Sequence, residues 1–376
     1  MIKSILLLSL LLSSATGLAQ PSKVVTARLK LEDGNLNDAV MTIDQAIVHE
    51  KSKGDARAWE LRGDIYGAFA TSSDEKVDMT AIAIYNAIAE SYLRVDEIKE
   101  GVGISNVKKS SSLYGNMALN EGVKNFKIRD YESARSLFLT AITLSGINDF
   151  TDSLALYDVA LASERLEDYA TAAEYYRKCV EIGYRSETMY SFLALAYNKL
   201  GDVSSYEKTL REGVENYPNN SNLITAMLNV KLSNSDFEGA LNNLNKLVEL
   251  DPTNKLLHFS QGTVLDNLKR TDAAIVSYKN AIALDPSYFD AKYNLGALYF
   301  NQGVELNNAA NEIDDKIGFE KARKEADLKF FEAKSYLEKA REIKPDDRNT
   351  LSSLKQLYAR TGETEKYNEV KAALEN

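Results

Sequence analysis

Residues 255–286 read KLLHFSQGTVLDNLKRTDAAIVSYKNAIALDP, and this stretch decides the fold. Ala274, Tyr278 and Ala281 follow one another at intervals of four and three positions, so they form one stripe along a helix. Gly262 lies in the apolar segment before them, where the missing side chain lets a second helix approach closely. A proline ends the stretch because it cannot continue a helix. The sequence therefore predicts a hairpin of two packed helices.

The hairpin recurs with a fixed period. Pro218, Pro252 and Pro286 are evenly spaced, and Pro286 closes the quoted stretch. Their spacing matches the period of about 34 residues that is typical of the tetratricopeptide repeat. In the preceding unit Leu228 occupies the glycine position, so that repeat is degenerate there. With these residues, the chain resembles the tetratricopeptide repeat family over nearly its whole length after residue 20.

This resemblance implies an all-α fold, a right-handed α-solenoid of antiparallel helix hairpins. Weaker matches extend the pattern to both ends and predict about eight repeats plus a C-terminal cap. Residues 20–100 read as two irregular N-terminal hairpins, the second marked by Trp59, Gly63 and Tyr66. Residues 108–376 read as the regular array. The glycine-containing segment between them is either a hinge that shifts the helical path or a plain loop.

One repeat contains an insertion. The interval from Pro286 to Pro345 exceeds a single repeat of about 34 residues by roughly 25 residues. The inserted residues favour helix, with a break near residues 314–318, so we predict an extended helical hairpin at about 304–330. Its two helices should meet along a seam formed by Ala309, Ala310, Ile313, Ala322, Ala326 and Phe330. The hairpin is either a contact arm, which would also offer a route to a homo-oligomer, or an extension without a partner.

The first residues have the features of an export signal. Lys3 precedes an apolar run at residues 5–12, and small residues lead up to Ala19. The run is too short to span a bilayer comfortably. We therefore expect residues 1–19 to be a signal peptide. The protein would then be exported to the periplasm, the periphery of the outer membrane or the medium; a buried N-terminal helix is the alternative.

A short motif bears on the same question. Asp152-Ser153-Leu154 resembles the acceptor triplet for O-linked glycans on exported proteins of Bacteroidota, and the chain as a whole resembles exported repeat proteins of that group. Asp152 or Ser153 would also serve as a helix N-cap, and the triplet alone does not decide between these roles.

Little in the sequence favours catalysis. His49 and His258 are the two histidines, no metal-binding spacing surrounds them, and phosphate-binding glycine loops are absent. Cys179 is the single cysteine, and its small, buried repeat position predicts a packing role. Residues 33–38 have a calcium-loop composition but a misplaced glycine, so we predict an interhelix turn. From these missing motifs we expect no enzyme, cofactor or metal. A net charge of −10 without a basic cluster argues against a nucleic-acid ligand.

The resemblance implies a partner-binding surface on the first helix of each hairpin. The positions that line the family's concave groove correspond here to Asn222, Thr225, Asn229, Phe259, Thr263, Asp266, Tyr293 and Phe300. Amides bind peptide backbones and aromatic rings act as anchors, although some of these residues would instead pack between helices. Members of the family that bind an acidic C-terminus do so with a carboxylate clamp, and the lysines of that clamp are missing here. We expect a protein-binding adaptor in the cell envelope or, alternatively, a chaperone-like holder of unfolded or transiting polypeptides.

Overall fold

The computed structural model of this chain describes residues 19–72, 79–99 and 104–375. Eighteen α-helices and no β-strand occur within these ranges, which confirms the all-α fold of helix hairpins. The exact number of repeats stays a prediction. Residues 1–18 of the expected signal peptide lie outside the described residues. So do residues 100–103, in the glycine-containing segment that was expected to be a hinge or a loop. The chain divides into two compact units, Met1–Thr209 and Leu210–Asn376.

The first unit contains nine complete helices among its described residues. In chain order they are α1 Ala19–Glu32, α2 Leu36–Ile47, α3 Ala56–Thr71, α4 Ala81–Ile98, α5 Ile104–Lys127, α6 Tyr131–Gly146, α7 Ser153–Arg165, α8 Tyr169–Glu181 and α9 Ser186–Leu200. The division between the units falls within α10, Val203–Asn216.

The second unit continues the hairpins. Its helices are α11 Ser221–Ser233, α12 Phe237–Leu250, α13 Lys255–Asn267, α14 Thr271–Leu284, α15 Phe289–Ala310, α16 Lys316–Ile343, α17 Arg348–Thr361 and α18 Thr364–Glu375.

Within a hairpin, a small residue of the first helix faces a large one of the second. A Cβ atom on Gly262 would lie only 2.7 Å from the ring of Tyr278, and one on Gly122 would lie 2.5 Å from the ring of Phe138. The close helix approach predicted at Gly262 is therefore confirmed. In the degenerate repeat, Leu228 and Leu244 occupy the equivalent positions and belong to the same core cluster. Two leucines thus replace a glycine and a tyrosine, so this repeat fills the same place with two side chains of equal size.

The turns inside the hairpins also follow the period. Glu167, Gly201, Ser235 and Lys269 occupy the same position in successive repeats, and their φ angles are 59°, 72°, 56° and 59°. All four therefore occupy the left-handed region, which costs a side-chain-bearing residue about 1–2 kcal/mol. The packing of the two helices fixes this conformation even where the residue is not glycine.

Buried Arg62 holds three helices of the first unit together. Its Nε donates a hydrogen bond to Asp44 of α2 at 2.7 Å, and its Nη1 donates to Glu90 of α4 at 3.0 Å. The same Nη1 lies 3.0 Å from the carbonyl oxygen of Ala87 and 2.8 Å from the hydroxyl of Ser91. This buried guanidinium therefore replaces part of the apolar packing that the regular repeats use.

The hairpin of α15 and α16 is the longest in the second unit, with helices of 22 and 28 residues. Gly296 faces Leu337, and about two helical turns away Gly303 faces Phe330. A Cβ on either glycine would lie 2.7 Å from the opposing side chain, so the two helices are in close contact at both points.

The expected seam of this hairpin is confirmed in part. Its buried members are Ala310, Ala326 and Phe330, and Ala322 is half-buried. The prediction was wrong for Ala309 and Ile313, which are exposed. Ala309 faces a surface cleft instead, and Ile313 lies in the turn after α15, where its side chain is next to Gly318 at the start of α16 rather than in the seam.

Candidate partner-binding surface

The predicted surface of the second unit begins with three exposed side chains. Asn222, Thr225 and Asn229 lie on α11 at spacings of three and four positions, so they form one stripe along the helix. The Asn220 side chain caps the start of α11 by accepting hydrogen bonds from the backbone N–H groups of Asn222 and Leu223. The stripe therefore presents amide and hydroxyl groups that can donate to and accept from a partner backbone.

Phe259 of α13 is only partly available. Its ring centroid lies 5.8 Å from that of Tyr278 and 5.2 Å from that of Tyr288, and the side chain packs against the core of the unit. The Thr263 hydroxyl donates to the Phe259 carbonyl oxygen at 3.2 Å. Phe259 thus both supports the hairpin and presents one half-buried edge.

Tyr293 and Phe300 are also half-buried, and each packs against a neighbouring ring. Tyr293 stacks on Phe289 with a centroid separation of 6.2 Å and an interplanar angle of 12°. The ring centroid of Phe300 lies 5.7 Å from that of Phe330, with the guanidinium of Arg360 at 5.9 Å from the Phe300 ring. No ring contact joins Phe259, Tyr293 and Phe300 to one another in the described part of the chain.

Asp266 is the charged residue among the predicted surface positions. Asp266 is half-buried, and its charge adds to the effect of burial in raising the pKa of Tyr278. The Tyr278 hydroxyl lies 3.4 Å from the Thr263 hydroxyl. The Tyr278 side chain therefore stays neutral near pH 7 and serves as packing.

The cysteine, the second histidine and the candidate calcium loop all have structural roles. Cys179 is buried, and burial together with the Asp158 charge raises its thiol pKa to about 11, so the thiol stays protonated and packs as predicted. His258 is also buried at its predicted packing position, with Nε2 3.0 Å from the Pro252 carbonyl oxygen. The interhelix turn predicted at residues 33–38 is confirmed in part: residues 33–35 form it, with Gly34 at φ +73°, and residues 36–38 belong to α2.

The candidate glycan-acceptor triplet begins a helix. Asp152 caps α7 by accepting hydrogen bonds from the backbone N–H groups of Leu154 and Ala155 at 3.1 and 3.0 Å. The N-cap role expected for Asp152 is therefore confirmed, and glycosylation of Ser153 stays a prediction.

Metal-binding and membrane-spanning features are both missing from the described ranges. Residues 19–72, 79–99 and 104–375 contain no group of three or more His, Cys, Asp or Glu side chains placed to hold a metal ion. None of the helices in those ranges combines the length and apolar character needed to cross a membrane.

Sequence reasoning missed one surface. A cleft of about 820 Å³ lies along the extended hairpin, between α15 and α16, and we call it the hairpin cleft. Tyr299, Leu306 and Ala309 line it from α15, and Leu328 and Phe331 line it from α16. The signal was present in the apolar residues at helical spacing, but the sequence alone did not show on which side of the seam they would lie.

Comparison with known proteins identifies the repeat. Residues 267–303 match a family described as "TPR repeat", and residues 154–182 match "Tetratricopeptide repeat". The chain is 27% identical over 106 residues to small glutamine-rich tetratricopeptide repeat-containing protein 2 of Saccharomyces cerevisiae, a match that covers 28% of this chain and 31% of the yeast protein. The chain spans less than a third of the length of the curated relatives it matches.

Solved structures show the same kind of likeness. The C-terminal part of a TPR repeat-containing protein from Cytophaga hutchinsonii is 13% identical, with a TM-score of 0.48, and the match covers 68% of this chain and 93% of that one. YrrB, described as a TPR protein with an unusual peptide-binding site, is 20% identical with a TM-score of 0.39, covering 54% of this chain and 92% of that one.

Proposed function

We propose that this chain, which carries tetratricopeptide repeats, is a non-catalytic scaffold or adaptor that binds a partner protein through the first helices of its second unit. The observation that carries the proposal is the exposed stripe of Asn222, Thr225 and Asn229, whose polar groups can meet a partner. Half-buried Phe259, Tyr293 and Phe300 would supply aromatic contact at little cost in side-chain ordering, because neighbouring rings already hold them.

The test uses the exposed stripe, since removing the aromatic residues would also loosen the core. The triple variant Asn222→Ala/Thr225→Ala/Asn229→Ala should keep its helicity, because alanine favours helix at exposed positions. Cross-linking in the native cells followed by mass spectrometry should then show one dominant partner that the variant loses. A matched control is Asn242→Ala, at an exposed asparagine on α12, which should retain the partner. Equal capture by the triple variant and the control would contradict the assignment of this surface.

A second candidate function is a chaperone-like holder of unfolded or transiting polypeptides. Leu256 on α13 is 56% exposed and Leu232 on α11 is 38% exposed, so the same helices also present apolar side chains. This function predicts weak binding to many unrelated unfolded chains, and Leu232→Ser/Leu256→Ser should reduce it. A single stoichiometric partner would argue against it.

We also propose that the protein works in the cell envelope, with the periplasm as its compartment. The support is the sequence pattern of Lys3, the apolar run and Ala19. Purification from the native cells and N-terminal sequencing should give a mature chain that begins at Gln20. A chain that keeps its first residues in the cytoplasmic fraction would refute the location without affecting the binding surface.

A further inference from the structure

The hairpin cleft has an apolar lining that the fold does not use. Leu328 is 59% exposed and Phe331 is 65% exposed, and both face the cleft opposite Leu306 and Ala309 of α15. Removing apolar side chains of this size from water is favourable, so their exposure leaves contact energy available to a ligand. Within the described residues, no other segment covers them.

Phe331 is exposed because the seam is already filled. The adjacent Phe330 already fills the space above Gly303, and Leu337 fills the space above Gly296. Successive residues of a helix point about 100° apart, so Phe331 must leave the seam when Phe330 enters it. The hairpin therefore has two faces, a filled seam and an open cleft.

Of the charged side chains that line the cleft, three are acidic and one, Lys329, is basic. Glu305, Glu325 and Glu332 line it and are exposed, and in the described structure none of them forms an ion pair. The ammonium groups of Lys329 and Lys279 lie over the ring of Tyr299 at one end, 5.4 and 5.7 Å from its centroid. The Lys334 ammonium lies 5.9 Å from the centroid of the Phe331 ring, and the Glu332 charge acts on Lys279. Glu305 and Glu325 thus remain available to a cationic partner along an apolar floor.

We propose that the hairpin cleft binds an amphipathic α-helix of a partner protein, with Leu-like side chains facing the cleft and Lys or Arg on its flanks. From Tyr299 to Ala309 the cleft follows α15 for about 15 Å, which corresponds to about three turns of a docked helix. A helix satisfies its own backbone hydrogen bonds, whereas an extended segment would find no strand edge to pair with among the described residues.

A second copy of this chain fits less well. Two hairpin clefts packed in parallel would bring Glu305 and Glu325 of both copies together, and like charges at an interface are unfavourable. A basic helix removes that repulsion. This binding site is a different surface from the stripe on α11, so it does not depend on the proposed function.

The test uses the full chain and a displayed library of helix-forming peptides of about 15 residues, long enough to cover the cleft. The peptides selected should carry apolar residues at i, i+3, i+4 and i+7 with Lys or Arg beside them. Their affinity should fall at least tenfold for Leu328→Ser/Phe331→Ser, since both side chains are exposed and the fold should tolerate the change. It should also fall for Glu305→Lys/Glu325→Lys/Glu332→Lys, and rising salt should weaken binding to the unaltered chain.

Two controls lie on the same hairpin outside the cleft. Ile317, which is 81% exposed near the turn, is changed to Ser, and exposed Glu320 is changed to Lys. Both should bind the selected peptides as the unaltered chain does. The proposal is overturned if no helix is selected, if acidic peptides are selected, or if the cleft variants bind normally. It is also overturned if sedimentation shows a dimer that Leu328→Ser/Phe331→Ser abolishes, because the cleft would then be occupied by a second copy.

Discussion

The two compact units differ in the polar groups that their helical cores contain. In the first unit, Arg62 is buried and pairs with two acids from neighbouring helices, and Asp158 is partly buried and forms no ion pair among the described residues. In the second unit the buried polar residues, within the described part, are His258, Ser277 and Thr350. The regular period of the second unit is thus carried by small and apolar residues. The irregular hairpins of the first unit are joined instead by the directional polar contacts of Arg62.

Removing the buried guanidinium should have the largest effect. Arg62→Ala removes one donor each from Asp44, Glu90 and the Ala87 carbonyl, and we expect a loss of about 3 kcal/mol in the free energy of unfolding. Asp44 still accepts from the Tyr66 hydroxyl, and the Ala87 carbonyl from the Ser91 hydroxyl. Both acids are partly exposed, which keeps the cost below that of a fully buried pair. Hydrogen exchange should show faster opening of α2, α3 and α4. Arg57→Ala, at a side chain 69% exposed, should leave the unfolding transition almost unchanged.

A volume exchange tests the apolar mode of packing in the second unit. Gly262→Leu should cost about 2 kcal/mol, because its side chain would collide with Tyr278. Adding Tyr278→Leu reproduces the pair found at Leu228 and Leu244 and should restore most of the loss. Urea unfolding of the two single variants and the double variant gives the coupling energy. Additive losses would show that the two positions do not compensate each other.

The partly buried carboxylate makes the first unit sensitive to pH. Burial and the Asp152 charge raise the Asp158 pKa from 3.8 to about 6, so the folded state favours the protonated form. Stability is therefore lost as pH rises from about 4 through 6. Asp158→Asn should stabilise the protein by about 1–2 kcal/mol at pH 7.5, after allowance for partial exposure. Thermal unfolding at pH 7.5 and pH 3.5 checks this, because the gain should vanish at the lower pH.

The smallest expected effect concerns the periodic turn. Lys269 has a φ of 59°, and the equivalent residue two periods earlier is Gly201, with a φ of 72°. Lys269→Gly should stabilise the second unit by about 0.5 kcal/mol, since relief of strain exceeds the added freedom of the unfolded chain. Lys269→Ala removes the same side chain without the conformational benefit and should not stabilise. If Lys269→Ala stabilised the protein as much as Lys269→Gly, the gain would come from removing the lysine side chain and not from the backbone conformation.

Much of the candidate surface could be read from the sequence, but its energetic role could not. The period placed Asn222, Thr225 and Asn229 on one helix, where they are exposed. The period also placed Phe259 and Phe300 on their helices. However, the ring of Phe259 packs against that of Tyr288, and the ring of Phe300 packs against that of Phe330, and both partners are distant in the sequence. Helical spacing tells which residues share a face of one helix. It does not tell how much of each side chain the neighbouring helix covers.

The sequence by itself determined the helix hairpins, because the even spacing of prolines and small residues repeats a local pattern that needs no distant information. It also determined the close approach at Gly262, since an absent side chain has the same consequence in every repeat. Only the tertiary structure decided that Arg62 would be paired across three helices and that Phe331 would face an open cleft while Phe330 filled the seam. Those outcomes depend on how two helices are rotated about their axes when they pack, and that rotation is set by contacts along the whole interface.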